Sequence, residues 1–121
     1  MSALLLISSI VSSSCTPEEM IRKAFEMHGA TPAQQDDAVT IARCESGVTP
    51  TARNGSNYGL MQINVSSRAQ GPRIAALGLT PDDMFNPWWN AWVAAELWAS
   101  RNQRFAGSSG WANCSAKHGV R

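Results

Sequence analysis

Several features that mark large classes of protein are missing from this sequence of 121 residues. The apolar stretch at the N-terminus stops at Val11, which makes it too short for a transmembrane helix. The arginines are scattered along the chain and the net charge is +1, so there is no basic footprint for nucleic acid. We therefore expect no stable membrane insertion and no nucleic-acid partner.

Metal and nucleotide motifs are also absent. The three cysteines, Cys15, Cys44 and Cys114, lie far apart and have no suitably spaced histidine, so they do not form a zinc pattern. The segment 107–110 lacks the Lys-Ser/Thr ending of a phosphate-binding loop. We expect no metal and no cofactor. Cys44 and Cys114 could instead pair across a long loop and leave Cys15 over, whereas three reduced, buried thiols are the alternative.

Length and composition indicate one globular domain preceded by a short N-terminal segment, since apolar residues make up 44% of the chain. Residues 1–15 have the length of a signal peptide but lack its usual Lys or Arg. Ser14-Cys15 also fits a lipoprotein-type ending. The alternatives are an ordinary helix packed on the domain and the unremoved start of a phage-encoded protein. The domain itself is assigned to residues 16–121.

Three Thr-Pro pairs have the pattern of helix starts. They are Thr16-Pro17, Thr31-Pro32 and Thr80-Pro81. In each, a capping Thr precedes Pro at the first helical position, and an acid or amide follows three residues after the Thr. The pattern predicts helices over 17–28 and 32–46 and a short turn at 81–85. Gly29 and Gly47 are the predicted stops of the two helices.

A further helix is predicted to begin at Pro87, because apolar residues follow it at spacings of three and four. The stripe consists of Trp88, Ala91, Trp92, Ala95, Trp98 and Ala99. The pattern ends near residues 105–107. Residues 58–65 form the one extended run, and 66–77 could form another helix. The prediction is a single, mainly α domain with a small extended or β segment near 58–65.

Acidic residues are sparse in the centre of the chain, since none of the 36 positions after Glu45 holds another carboxyl group. Glu45 lies in the last turn of the predicted helix 32–46, on a face that also carries Ala38, Ile41 and Ala42. Contact with apolar side chains disfavours the charged carboxylate, as does the negative end of the helix dipole, so we expect a raised pKa. Such a group can hold a proton near neutral pH and donate it to a leaving oxygen.

Two segments and a helix start carry a resemblance to a known family. Glu45-Ser46-Gly47 is followed by Tyr58-Gly59-Leu60-Met61-Gln62-Ile63-Asn64 and then by Asn86-Pro87-x-x-Asn90. In order and spacing, over roughly residues 35–100, these resemble the motifs of the soluble lytic transglycosylase family within the lysozyme superfamily. The resemblance implies an α+β, lysozyme-like fold and the glycan strands of peptidoglycan as the partner and substrate.

The resemblance also implies roles for individual residues. Glu45 would be the catalytic acid and base, and Ser46 would orient it or contact the sugar. The other expected substrate-binding or supporting residues are Tyr58, Gly59, Met61, Gln62, Asn64, Asn90 and Trp111. Within this set, Gly59, Met61 and Gln62 would line the groove, and the two asparagines would be amide contacts or structural supports.

One part of the family pattern is missing. The late Ala-Tyr-Asn-Ala-Gly segment is replaced by residues 107–114, which leaves open whether Trp111 or Tyr58 substitutes for its tyrosine. Small secreted or phage-borne members commonly carry a Cys directly before the catalytic Glu, as this chain does. We therefore predict a disulfide between Cys44 and Cys114.

The lack of a second acid near Glu45 favours lytic transglycosylation. A glycosidase that activates water or forms a glycosyl-enzyme normally needs two carboxylates. Transglycosylation needs one, because the C6 hydroxyl of N-acetylmuramic acid (MurNAc) attacks C1 of the same sugar. The bond cleaved is the β-1,4 bond from MurNAc to N-acetylglucosamine (GlcNAc), and the product is a 1,6-anhydro-MurNAc end. The alternatives are a muramidase that uses water and a non-catalytic peptidoglycan-binding or virion structural module.

These inferences predict a monomer that acts outside the cytoplasm, as a secreted, periplasmic or cell-wall-facing protein. A phage virion or phage lysis protein is the alternative location.

Overall fold

The structure is a computed structural model, and it describes residues 15–107 and 110–121. In those residues the α-helices are α1 (Pro17–Glu26), α2 (Pro32–Ser46), α3 (Gly71–Ala76), α4 (Pro87–Ser100) and α5 (Ala112–His118). The strands β1 (Arg53–Asn54), β2 (Asn57–Tyr58) and β3 (Ile63–Asn64) form an antiparallel sheet in the order β1-β2-β3. A 3₁₀ helix spans Pro81–Phe85. This mainly helical arrangement with a small sheet confirms the predicted α+β, lysozyme-like class.

The helix starts form where the Thr-Pro pairs predict them. At α1, the Thr16 hydroxyl accepts from the Glu19 backbone N–H, and the Glu19 carboxylate accepts from the Thr16 N–H, both at 3.2 Å. Thr31 and Gln34 make the same reciprocal pair at α2. These side chains satisfy backbone N–H groups that have no partner inside the helix, which fixes the first turn.

One of the two predicted helix ends agrees with the structure, and the other is two residues off. Helix α2 ends as predicted, because Gly47 adopts the left-handed conformation (φ 64°) and caps it. Helix α1 ends at Glu26, two residues before the prediction. Its capping residue is Met27, and Gly29 (φ 93°) lies in the turn that follows, where its N–H donates to the Glu26 carbonyl.

The core lies around α4, which packs against α1 and against the 3₁₀ helix. Aromatic side chains fill the space between α1 and α4, where the ring centroids of Phe25 and Trp98 are 5.4 Å apart. Phe105, which follows α4, lies 5.7 Å from Phe25 and is buried with them. Helix α2 packs on the other side of α1 and also against α5. The last turn of α2 is thereby held between the core and the C-terminal helix.

Three predicted elements differ from the structure. Residues 58–65 do not form one extended run: a tight turn, in which Gly59 (φ 77°) and Gln62 (φ 51°) are left-handed, separates β2 from β3. Helix α4 ends at Ser100 rather than near 105–107, because Asn102 and Gln103 are also left-handed (φ 56° and 58°). Only residues 71–76 of the segment 66–77 are α-helical.

The C-terminal helix α5 was not predicted from the sequence. It spans seven residues and has no capping side chain at its start, so its one clear boundary signal is Gly119 (φ 63°), which ends it in the left-handed conformation. Packing against α2 accounts for its presence.

Residues 15–107 and 110–121 contain no helix long and apolar enough to cross a membrane. The same residues contain no group of three or more His, Cys, Asp or Glu side chains that could hold a metal ion. Of the predicted N-terminal segment 1–15, residues 1–14 lie outside the described residues. Cys15 is a half-buried free thiol.

Candidate active site

A groove of about 520 Å³ lies between the end of α2, the sheet, the end of α4 and the start of α5. Six amide side chains line it: Asn54, Asn57, Gln62, Asn64, Gln70 and Asn113. Glu45, Arg101, Trp111 and Cys114 line it as well. Uncharged amides can both donate to and accept from hydroxyl and acetamido groups. The lining therefore suits a neutral, hydrogen-bonding ligand such as a saccharide.

Glu45 reaches this groove from the last turn of α2. Its side chain is half-buried, and burial raises the pKa of the carboxyl above its ordinary value of 4.5 because the charged form loses hydration. It makes no hydrogen bond or ion pair with any residue in 15–107 or 110–121. The carboxyl is thus desolvated and uncompensated, as its apolar helix face predicted.

No second carboxylate lines the groove. The other acidic residues of the chain all lie in the described ranges, and they are Glu18, Glu19, Glu26, Asp36, Asp37, Asp82, Asp83 and Glu96. None of these lines the groove with Glu45. Asp83 accepts from the Thr80 N–H at 2.7 Å at the start of the 3₁₀ helix. Glu96 accepts from Arg73 at 3.3 Å.

Two connections hold the end of α2, and with it Glu45, against the rest of the site. The Ser46 hydroxyl donates to the Leu60 carbonyl at 2.7 Å and accepts from the Thr49 N–H at 3.1 Å. On the other side, Cys44 forms a disulfide with Cys114 of α5, which confirms the predicted pairing. Ser46 does not line the groove. Its contacts are those of a residue that positions the helix end.

Asn90 lies beneath the groove and links α4 to the turn between β2 and β3. Its side chain is completely buried. The amide oxygen accepts from the Met61 N–H at 2.9 Å, and the amide nitrogen donates to the carbonyls of Tyr58 (2.8 Å) and Met84 (2.9 Å). Asn90 therefore has the position of a structural support and not that of an amide exposed to a ligand.

Gly59 and Met61 also lie behind the groove surface. Both are buried, and neither lines the groove, in contrast to the expected arrangement. A Cβ at Gly59 would collide with the Met84 carbonyl oxygen and with the Asn90 side chain. The glycine is thus required by close packing of the turn on α4, in addition to its positive φ.

Gln62, by contrast, lines the groove as expected. Asn64, expected as an amide contact or a structural support, lines it as well. The Gln62 side-chain nitrogen donates to the carbonyls of Gly59 (3.0 Å) and Ala52 (3.3 Å), so the side chain is held in place. The Asn64 side-chain oxygen accepts from the Ser66 N–H at 3.1 Å. Both amides are fixed by the backbone around them, so they are preorganised toward a ligand.

The two aromatic candidates for the family's missing tyrosine have different surroundings. Tyr58 stacks on Phe85 with ring centroids 4.5 Å apart, and the Arg53 guanidinium covers it at 4.8 Å from the centroid. Tyr58 does not line the groove, whereas Trp111 does. The Trp111 indole N–H donates to the Met61 carbonyl at 2.8 Å. Of the two side chains, only that of Trp111 lies on the same groove as Glu45.

The sequence analysis missed several groove residues, chiefly Asn54, Asn57, Gln70, Arg101 and Asn113. Asn54 pairs with Asn57 across β1 and β2, and Asn57 pairs with Asn64 across β2 and β3. Residues that pair directly across strands project from the same face of a sheet. Reading 53–64 as a three-stranded meander would have placed the three asparagines together.

A comparison with family models matches residues 20–116 to a model described as "Transglycosylase SLT domain". The matched range includes Glu45 and every residue that lines the groove. Searches of curated proteins and of solved structures found no match. Since the family model covers most of the sequence, the chain belongs to the transglycosylase SLT domain family.

Proposed function

We propose that this protein is a lytic transglycosylase that cleaves the MurNAc–GlcNAc β-1,4 bond with Glu45 as its single acid–base group. Membership of the SLT family supports peptidoglycan cleavage of this type. The observation that carries the residue-level proposal is the isolation of Glu45. It is a desolvated carboxyl on an amide-lined groove to which no other acidic side chain contributes.

In the first step, the protonated Glu45 carboxyl donates its proton to the GlcNAc O4 as the bond from MurNAc C1 to that oxygen breaks. A raised pKa favours this step, because the carboxyl holds its proton at a higher pH than a free glutamate does. The positive charge that develops at C1 is stabilised by the sugar's own acetamido group.

In the second step, the Glu45 carboxylate takes the proton from the MurNAc C6 hydroxyl while O6 attacks C1. A bond from C1 to O6 forms, the 1,6-anhydro ring closes, and Glu45 is protonated again. No water is consumed, and one carboxyl serves both steps. A hydrolase that activates water normally uses a second carboxylate near C1.

A peptidoglycan substrate implies that the protein acts outside the cytoplasm. The Cys44–Cys114 disulfide fits that location, because disulfides persist in oxidising compartments.

The experiment that tests the function compares wild type with Glu45→Gln on purified peptidoglycan. Removal of a general acid–base group lowers the rate by about 10²–10⁴-fold, so we expect loss of soluble products with retention of binding. Glu26→Gln, at an exposed helix end outside the groove, is the matched control and should keep full activity. Equal activity of Glu45→Gln and wild type would refute the role of Glu45.

Mass spectrometry of the wild-type products tests the reaction type separately. An anhydro end is lighter by one water than a reducing end. Products with reducing ends alone would identify a muramidase. Binding without any products, in wild type and variant alike, would identify a non-catalytic peptidoglycan-binding module.

A further inference from the structure

A second cavity of about 570 Å³, here called the second lobe, lies next to the groove at Arg101. Ala69, Gln70, Leu97 and Arg101 line both cavities, so the two share one edge. The residues that line the second lobe alone are Pro72, Arg73, Ala76, Leu77, Glu96 and Ser100. A ligand in the Glu45 groove that carries a branch therefore has the second lobe within reach.

The second lobe differs chemically from the groove around Glu45. Half of its lining residues are aliphatic, Gln70 is its one amide, and none of the described residues that line it is aromatic. Saccharide sites generally rely on amides, hydroxyls and aromatic faces. Methyl and alkyl groups beside guanidinium groups instead suit a ligand with short apolar side chains and carboxylates.

The lobe carries a surplus of positive charge. Its acid, Glu96, accepts from Arg73 at 3.3 Å and from the Trp92 indole N–H at 3.0 Å, so its charge is compensated within the protein. Arg101, in contrast, makes no ion pair with any residue in the described part of the chain. With two guanidinium groups and one carboxylate, the lining has one uncompensated positive charge.

The Arg73 guanidinium is also fixed in place. It donates to Gln70 at 3.0 Å and to Ser100 at 3.4 Å, besides its bond to Glu96. Arg73 and Glu96 are both partly buried, with 29% and 26% of their side chains exposed. A guanidinium held in this way loses little side-chain entropy when an anion binds beside it.

We propose that the second lobe binds the peptide stem of peptidoglycan, with Arg101 paired to a stem carboxylate and the aliphatic wall against stem alanine methyl groups. This inference rests on the proposed function, since it assumes that MurNAc occupies the groove beside Glu45. The stem is attached through the lactyl group at O3 of MurNAc, so it must leave the groove beside the cleaved bond. The second lobe shares an edge with the groove and therefore lies within reach of a stem that leaves it.

The test uses two substrates, soluble glycan strands with their peptide stems and the same strands after removal of the stems by an amidase. Arg101→Gln should lower kcat/KM about tenfold on stem-bearing strands, the loss expected from one charge-assisted hydrogen bond. On stripped strands, the loss should be clearly smaller, because Arg101 lines the edge of the Glu45 groove but would have no stem carboxylate to bind. Arg104→Gln, an exposed arginine that lines neither cavity, removes the same charge and should behave as wild type on both substrates.

An equal loss on both substrates would overturn the proposal, because the lobe would then contact the sugar or support the fold. No loss of activity on either substrate would overturn the proposal as well.

Binding of the free stem tetrapeptide gives a readout that does not depend on turnover. Titration into wild type should shift the backbone NMR signals of Ala76 and Leu77, and Arg101→Gln should weaken that binding. NMR shifts without turnover on either substrate would support the stem site but reject the transglycosylase function. The absence of NMR shifts would reject the stem site.

Discussion

At the scale of single residues, Glu45 illustrates how a partly buried carboxyl lowers the stability of the fold that contains it. The folded protein buries the carboxyl without giving it a hydrogen-bond donor or a cation among the described residues, and its pKa is therefore above 4.5. In the unfolded chain the same carboxyl is hydrated and has its ordinary pKa. The folded state thus binds the proton more tightly, and the charged form is the unfavourable one.

The sign of the resulting pH dependence predicts the effect of Glu45→Gln on stability. Below 4.5 the carboxyl is protonated in both states, so replacing it with the neutral amide changes little. As the pH rises through the unfolded and then the folded pKa, wild type loses stability that the variant keeps. We expect the Tm of Glu45→Gln to exceed that of wild type near neutral pH and to match it in acid.

Thermal unfolding of both proteins across this pH range is the measurement, with Glu26→Gln as the control. Glu26 forms an exposed ion pair with Lys23, so its loss should not reproduce the pattern. A Tm difference that is independent of pH would contradict the raised pKa of Glu45.

Only some of the residues that line the groove could be predicted from the sequence. Glu45 could be found because its carboxyl stands alone and its helix face is apolar, two properties that the sequence contains directly. Asn54 and Asn57 could not be found in this way, because they join the groove only through strand register. Arg101 follows the end of α4, and its position depends on where that helix stops.

At the scale of elements, Asn90 is the main polar connection between α4 and the turn that carries Gln62. Asn90→Ala would leave the Met61 N–H and the carbonyls of Tyr58 and Met84 without their side-chain partner inside the core. We expect a loss of about 3 kcal/mol or more in the free energy of unfolding, because each buried unsatisfied group costs about 1–3 kcal/mol.

Denaturant unfolding measures this loss. Asn54→Ala removes the same atoms from an exposed strand residue and should leave the unfolding midpoint almost unchanged. If the two variants are equally stable, Asn90 does not support the turn.

The element boundaries were predictable wherever a side chain determines them. Thr16 and Thr31 cap α1 and α2, and Gly47 ends α2 at the predicted residue. The turn after Tyr58 was missed because Gln62 adopts a left-handed conformation that its residue type does not favour. Asn90 of α4 hydrogen-bonds the Met61 N–H and the Tyr58 carbonyl of this turn, and such contacts between distant segments are not visible in a local pattern.

At the scale of the whole molecule, the disulfide encloses the site. Every residue that lines the groove, from Glu45 to Cys114, lies within the loop that Cys44 and Cys114 close. The same bond joins the helix turn that bears Glu45 to α5, whose residues Asn113 and Cys114 also line the groove. Stability of the fold and geometry of the groove are therefore linked through one covalent bond.

This linkage leads to a prediction for the double variant Cys44→Ala/Cys114→Ala, made in a Cys15→Ala background to avoid new pairings. The cysteines are 70 residues apart, and opening a loop of that length lowers the free energy of unfolding by about 4 kcal/mol in the chain-entropy model. Because the bond also holds the helix turn that bears Glu45 next to α5, the release of soluble products should fall with stability. Denaturant unfolding and product release are measured against the single variant Cys15→Ala, which keeps the disulfide, since Cys15 is a free thiol in the fold. If the double variant keeps both its midpoint and its activity, packing between α2 and α5 is sufficient to form the groove. If it keeps only its midpoint, the disulfide acts on the position of Glu45 rather than on the stability of the fold.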